Sequence, residues 1–192
     1  MFGPSGIGGL VSDLSTLQSM EPFMTGGEMV IDVTETEARW NDVPHKFEAG
    51  TPPITEAIGL EAAIQFIHSV GFDAIQKHDR HLLEIGQKLL NKIDGIHLIG
   101  LNGATHAHSP IFCFNLKDRA NRTIHPHDLG TFLGSLGIAI RVGTHCAKPL
   151  MRQMGVTATC RASCSIYNSA ADLSALAEGL IEARKFFSRG LA

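Results

Sequence analysis

The sequence predicts an α/β fold, with a small α/β sandwich over residues 85–192 that follows a helix and an irregular arm. Two patterns indicate this. Apolar residues recur at helical spacing from about residue 55 to 93, and short segments typical of strands follow from residue 96. The composition, 44% hydrophobic and 18% charged, is that of a chain with a packed core.

The arm occupies the first 53 residues. The segment Gly3–Val11 is rich in glycine and predicts a tight turn that runs into a short buried strand. No lysine follows these glycines and no helix opens directly after them, which disfavours a nucleotide-binding loop. Residues 20–53 lack a sustained period and contain the only tryptophan, Trp40. Such a stretch is more typical of a functional segment, or of a segment packed against a partner subunit, than of a flexible insertion.

The helical region follows the arm. Its first segment places four apolar residues on one face: Leu60, Ile64, Ile67 and Val70. Gly71 is suited to end this helix. A second stripe runs from Ile75 to Ile93 and stops at Gly95. The pattern fits either one bent helix or two helices.

The sandwich contains short elements. Strands are predicted over residues 96–101, 111–116 and 138–142, and helices over about 125–136 and 149–154. Residues 156–166 alternate, which places Cys160 and Cys164 on a core face and Arg161 on the polar face. We expect Cys113 in the core as well. Ser169 and Asp172 indicate a capping box at the start of the last helix.

Several functional classes are disfavoured. The net charge of −3 has no run of one sign, which argues against nucleic-acid binding. Apolar runs stay short of a membrane span, and the start lacks the features of a signal peptide, so we expect a cytoplasmic protein. The four cysteines form no CxxC pair and are expected to be reduced. Two histidine pairs, His106 with His108 and His125 with His127, lack further ligands at metal-binding spacing, so no metal is expected.

The strongest candidate site lies in the segment Arg141–Met151. Cys146 stands on a short loop beside His145, with Arg141 at the end of the preceding strand and Arg161 on the next one. Arginine binds carboxylates through paired N–H donors, and nearby positive charge stabilises a thiolate. The pattern therefore indicates a nucleophilic cysteine that meets a small anionic substrate. His145 either tunes this thiol or only packs beside it.

Five segments carry a resemblance to a known family: Gly3–Gly8, Phe47–Pro52, Arg141–Ala147, Pro149–Met151, and Cys160–Ser163 with Tyr167 and Asn168. Over essentially its whole length the chain resembles the C-terminal half of cysteine desulfurases of the SUF type and the related selenocysteine lyases. These are class-V aminotransferase-like enzymes of fold type I that use pyridoxal 5'-phosphate. The resemblance implies the end of the large cofactor-binding domain and a dimer-interface arm over residues 1–54. It implies a connecting helix over 55–84 and the small α/β domain over 85–192.

The resemblance also implies roles for single residues. Cys146 matches the nucleophile that takes sulfur from L-cysteine, leaving L-alanine, and holds it as a persulfide for an acceptor protein in iron–sulfur cluster assembly. Arg161 matches the arginine that binds the substrate carboxylate, and Arg141 a second arginine of that pocket. Gly50 and Thr51 match the segment that reaches the cofactor phosphate of the partner subunit in a homodimer.

The chain also departs from the family pattern. The lysine that bonds the cofactor would precede Met1, so we expect the chain alone to be inactive, as a truncated reading frame or as half of a split enzyme. Thr144 stands where a histidine is usual, and Lys148 where neutral residues are common. Selenocysteine lyase remains an alternative, as does a non-catalytic sulfur carrier or a remnant.

Overall fold

The computed structural model describes residues 2–100 and 109–189, and the chain divides into two compact units, Met1–Gly71 and Phe72–Ala192. The first unit contains α1 (Leu14–Ser19), β1 (Val30–Val33), β2 (Ala38–Trp40), a short 3₁₀ helix (His45–Phe47) and α2 (Ile54–Val70). The second contains α3 (Phe72–Leu90), β3 (Ile96–Ile99), β4 (Ile111–Leu116), α4 (Pro126–Ser135), β5 (Arg141–Gly143), α5 (Lys148–Gln153), β6 (Thr159–Ser163) and α6 (Ala170–Phe187).

The first unit has a small antiparallel hairpin and little buried surface. β1 and β2 pair from Val30 opposite Trp40 to Val33 opposite Ala38. The predicted strand at the end of Gly3–Val11 is wrong, because this segment lies outside any helix or strand and Val11 is 96% exposed. A strand needs a neighbour to receive its backbone hydrogen bonds, and no described strand of this unit pairs with the segment.

The helical region consists of two helices rather than one bent helix. α2 ends at Val70 and α3 begins at Phe72, and between them Gly71 has a φ of 86°. That left-handed value suits glycine and ends α2. Among the described residues no single helix is long and apolar enough to cross a membrane; only α2 and α3 counted together would satisfy that test.

The second unit is a two-layer α/β sandwich, as the sequence predicts. Its sheet has the order β3-β4-β6-β5, and all neighbouring strands are antiparallel. One face packs against α3, α4 and α6 in a single core. The alternation along β4 gives this face Phe112, Phe114 and Leu116, all fully buried.

Several element boundaries in this unit differ from the predictions: β6 is shorter than the alternating segment 156–166, the ends of α4 and α5 differ by one residue, and β5 begins later. β5 spans Arg141–Gly143 rather than residues 138–142. Ile138 N donates to the carbonyl of Leu133 at 2.9 Å, so the chain is still bonded to the end of α4 at that point. The capping box of α6 is confirmed, since Asp172 Oδ2 accepts from Ser169 N at 2.7 Å.

Candidate active site

The sheet of the second unit places both arginines and one cysteine in a row. Arg161 lies opposite Cys113 on β4 and opposite Arg141 on β5. Directly opposed residues of paired strands project from the same face of a sheet. The neighbouring residues Cys160 and Ala162 belong to the core, so this row projects from the other face. We call the face that carries Cys113, Thr159, Arg161 and Arg141 the site face.

A tight turn after β5 presents Cys146 to solvent. Ala147 N donates to Thr144 O at 2.9 Å, and the two central residues, His145 and Cys146, have φ values of 52° and 60°. Positive φ at both central positions is the pattern of a type I′ turn, which usually carries glycine or asparagine. Each such residue costs about 1–2 kcal/mol in this conformation, and strain of this kind concentrates at functional sites. Cys146 is exposed.

The His145 ring is anchored to β6. Its Nε2 lies 3.2 Å from the carbonyl oxygen of Thr159 and 2.9 Å from Thr159 Oγ1. Burial, followed by the nearby charges of Arg161 and Arg141, lowers the pKa of His145, and the contact with the Thr159 backbone opposes this only in part. The ring is therefore neutral at pH 7. Its Nδ1 is buried and has no hydrogen-bond partner among the described residues.

Arg161 also carries an unused donor. Its Nε is buried and lacks a hydrogen-bond partner in the described part of the chain, and the side chain is half-buried. Arg141 on the neighbouring strand is exposed. A guanidinium with free donors on a partly covered surface is suited to a carboxylate, which accepts two parallel N–H bonds.

Two further residues belong to this face that the sequence did not assign to the site. Thr159 is fully buried, and its Oγ1 lies 3.2 Å from Cys113 Sγ. The prediction that Cys113 is a core residue is wrong, because its pairing with Arg161 turns it to the site face. The alternation of residues 156–166 places Thr159 beside Arg161, but the register of β4 cannot be predicted from that pattern.

The remaining thiols lie away from this face. Cys160 is fully buried in the core, as predicted, and burial raises its pKa to about 12. Cys164 is half-buried against the core, and burial followed by the charges of Asp172 and Asp79 raises its pKa. Both thiols are therefore protonated at neutral pH, and neither is placed as a nucleophile.

Gly50 and Thr51 belong to the first unit, directly before α2. Gly50 has a φ of 80°, and its N donates to Gly27 O at 2.9 Å. Thr51 is exposed. An exposed hydroxyl can donate a hydrogen bond to a phosphate oxygen.

The histidine pair that the structure describes, His125 and His127, lies at the start of a helix. His125 Nδ1 accepts from His127 N at 3.3 Å, which caps α4, and the two rings stack at 5.6 Å. Residues 2–100 and 109–189 contain no group of three or more side chains that could hold a metal ion. His106 and His108 lie outside the described residues.

The family model and the sequence relatives that match this chain indicate the same family. The pattern of the family described as Aminotransferase class-V matches residues 1–176. The chain is 43% identical over 188 residues to a probable cysteine desulfurase of Staphylococcus epidermidis, covering 98% of this chain and 44% of that protein. A probable cysteine desulfurase of Staphylococcus aureus is 42% identical over the same shares.

Solved structures agree with the sequence relatives. A cysteine desulfurase from Escherichia coli superposes with a TM-score of 0.85 at 32% identity, over 96% of this chain and 44% of that one. The cysteine desulfurase from Thermococcus onnurineus gives a TM-score of 0.86 at 32% identity over the same shares. The chain therefore spans less than half the length of the relatives it matches.

Proposed function

This chain belongs to the aminotransferase class-V family, and from that premise we propose that it provides the nucleophile of a cysteine desulfurase. Cys146 would take sulfur from L-cysteine and hold it as a persulfide. The observation that carries the proposal is the turn Thr144–Ala147, which exposes Cys146 at a backbone cost. The two arginines of the site face, adjacent on β5 and β6, support it.

The arginines suit an amino-acid substrate. Arg161 has a buried Nε without a partner among the described residues, and a substrate carboxylate would satisfy it. Arg141, opposite it on β5, adds a second positive charge. Together they bind and orient the amino acid so that its sulfur meets Cys146.

The family uses pyridoxal 5'-phosphate, and residues of this chain fit part of that cofactor. Thr51 and the left-handed Gly50 would hold its phosphate. When bound, the cofactor accepts electron density from the substrate and so permits its C–S bond to break. In this proposal the chain alone is inactive, because none of its residues matches the lysine that bonds the cofactor in this family.

The sulfur-transfer step uses atoms of this chain. The Cys146 thiolate attacks the substrate sulfur, an S–S bond forms and the C–S bond breaks. The electron pair of that bond remains with the carbon, which a proton then converts to L-alanine. Cys146 is exposed, so its thiol proton can pass to solvent, while His145, whose Nε2 contacts Thr159, supports the turn that presents the thiol.

Further parts of the proposal concern partners. We place the protein with the SUF-type enzymes, in which the persulfide passes to an acceptor protein for iron–sulfur cluster assembly, and the exposure of Cys146 supports such a transfer. We propose a cytoplasmic homodimer in which residues 1–54 form the end of the large domain and the interface arm. The first unit supports this, because several of its large apolar side chains are exposed: Leu10, Val11, Phe23, Met24, Ile31 and Val33.

The test uses the full-length protein that carries this chain, loaded with cofactor. Cys146→Ala should abolish cysteine-dependent sulfide release, a loss of at least about a hundredfold, because Cys146 is the one exposed cysteine among the described residues. Cofactor absorbance should be unchanged. Cys164→Ala, a half-buried thiol at the core, is the matched control and should keep its activity.

The outcomes separate the candidate functions. Retained sulfide release in Cys146→Ala would refute the assignment of the nucleophile. A full-length protein that binds no cofactor but accepts sulfur on Cys146 from a separate desulfurase would be a sulfur carrier. Selenide release from selenocysteine without sulfide release from cysteine would make the protein a selenocysteine lyase.

A further inference from the structure

Thr159 connects the nucleophile turn to the sheet. Its Oγ1 lies 2.9 Å from His145 Nε2 and 3.2 Å from Cys113 Sγ, and its carbonyl oxygen lies 3.2 Å from the same nitrogen. The side chain is fully buried although it belongs to the site face. A buried hydroxyl without a partner is costly, and these contacts provide its partners.

The carbonyl contact determines which nitrogen of His145 carries the proton. A carbonyl oxygen only accepts, so Nε2 carries the hydrogen and Nδ1 keeps its lone pair. Any residue at position 159 would supply that carbonyl. The hydroxyl contact requires threonine or serine, and Cys113 occupies a second hydrogen-bonding position of the same hydroxyl.

The turn needs such an anchor. Residues other than glycine keep a left-handed conformation only where the surrounding structure holds them. Within the turn, the bond from Ala147 N to Thr144 O is local. In the described part of the chain, the contacts of the His145 ring are the hydrogen bonds that tie a side chain of the turn to a strand.

We propose that Thr159 is a positioning residue for sulfur transfer. Through His145 it holds the turn in the conformation that presents Cys146. The reaction named here rests on the proposed function, whereas the tethering of the turn does not.

The experiment compares three variants of the full-length, cofactor-loaded protein. Thr159→Val keeps the shape and removes the hydroxyl, Thr159→Ser keeps the hydroxyl, and Thr157→Val makes the same change at an exposed threonine of the neighbouring segment. In Thr159→Val we expect kcat for sulfide release to fall about tenfold, the effect of one lost hydrogen bond of ordinary strength. KM should be unchanged because both arginines remain. Thr159→Ser and Thr157→Val should resemble the wild type.

A second readout does not depend on activity. Nitrogen-15 spectra of the histidine side chains should show His145 protonated on Nε2 in both the wild type and Thr159→Val, because both keep the carbonyl of residue 159. Amide hydrogen exchange of residues 144–147, which form the turn, should be faster in Thr159→Val than in Thr159→Ser, because the ring loses its shorter contact. Wild-type activity together with wild-type amide exchange of the turn in Thr159→Val would overturn the proposal. A wild-type His145 protonated on Nδ1 would overturn it as well, even if Thr159→Val fails to fold. Absence of sulfide release from the wild type would refute the proposed function, and the amide-exchange comparison would still test Thr159.

Discussion

The turn that contains Cys146 exposes the thiol, but its positive φ values lower the stability of the fold. Glycine at positions 145 and 146 would adopt the same turn without the cost of a side chain at positive φ. Glycine, however, would supply neither the thiol nor the imidazole that bonds Thr159. The strain is therefore compensated by contacts of His145 with β6, and the turn and the strand act as one unit.

A pH titration tests the surroundings of His145. Burial and the charges of Arg161 and Arg141 lower its pKa, so its titration midpoint should lie below the usual value of about 6.5. Unfolding would then raise the affinity of the ring for a proton, and stability should fall as the pH drops below the unfolded-state pKa. This loss should be small, because the ring is partly exposed and solvent screens the charges. Nitrogen-15 histidine spectra recorded against pH give the midpoint.

A substitution separates the charge effect from burial. Arg161→Gln removes the cation with the larger effect on the pKa of the ring, and the His145 midpoint should rise. Arg119→Gln, whose backbone N bonds Ser188 away from the turn, is the control and should leave the midpoint unchanged. A wild-type midpoint at or above 6.5 would contradict the assigned surroundings.

Single residues show what the sequence could and could not predict about the site. The positions of Cys146 and Arg161 follow from local patterns, a loop before a short helix and an alternating strand. The position of Cys113 on the site face depends on the register between β4 and β6, which the pattern of a single strand does not contain. The turn conformation could not be predicted from the sequence either, because histidine and cysteine are not residues typical of a type I′ turn.

The packing of α3 on the sheet depends on the absence of a side chain at Gly86. A methyl group there would overlap the ring of Phe112, which is fully buried. Gly86→Ala should therefore destabilise the second unit by about 1–3 kcal/mol through overpacking, more than alanine gains in helix propensity. Urea unfolding followed by circular dichroism measures the change.

Gly134→Ala is the matched control for this prediction. Gly134 also lies in a helix, α4, but a methyl group there would meet no atom within 4 Å. The exchange should stabilise the protein by up to about 1 kcal/mol through helix propensity alone. Equal effects of the two substitutions would show that Phe112 does not limit the approach of α3.

Helices and strands were predictable where a periodic pattern ran undisturbed. β4 and the capping box of α6 match their predictions because each rests on local signals. β1, β2 and α1 carry no such signal in residues 10–40. The three-residue β5 begins later than predicted because the end of α4 still bonds Ile138, a competition between two local structures.

The two units differ in how much apolar surface they bury. Of the 22 buried apolar residues among those described, the first unit contains only Met29, Ala63 and Ile67, and the second unit holds the rest. Burial of apolar surface is the main favourable contribution to folding. The second unit therefore has a core of its own, whereas the first has almost none.

This difference predicts which part of the chain folds alone. Residues 72–192, produced separately, should unfold in one cooperative transition, because their sheet and the three helices over it share one core. Residues 1–71 should show no cooperative transition, since three buried apolar residues cannot offset the entropy of ordering that unit. Thermal and urea unfolding of both segments, followed by circular dichroism, decides the point. A cooperative transition in residues 1–71 would show that the arm needs no partner surface, and would remove the structural support for the proposed dimer.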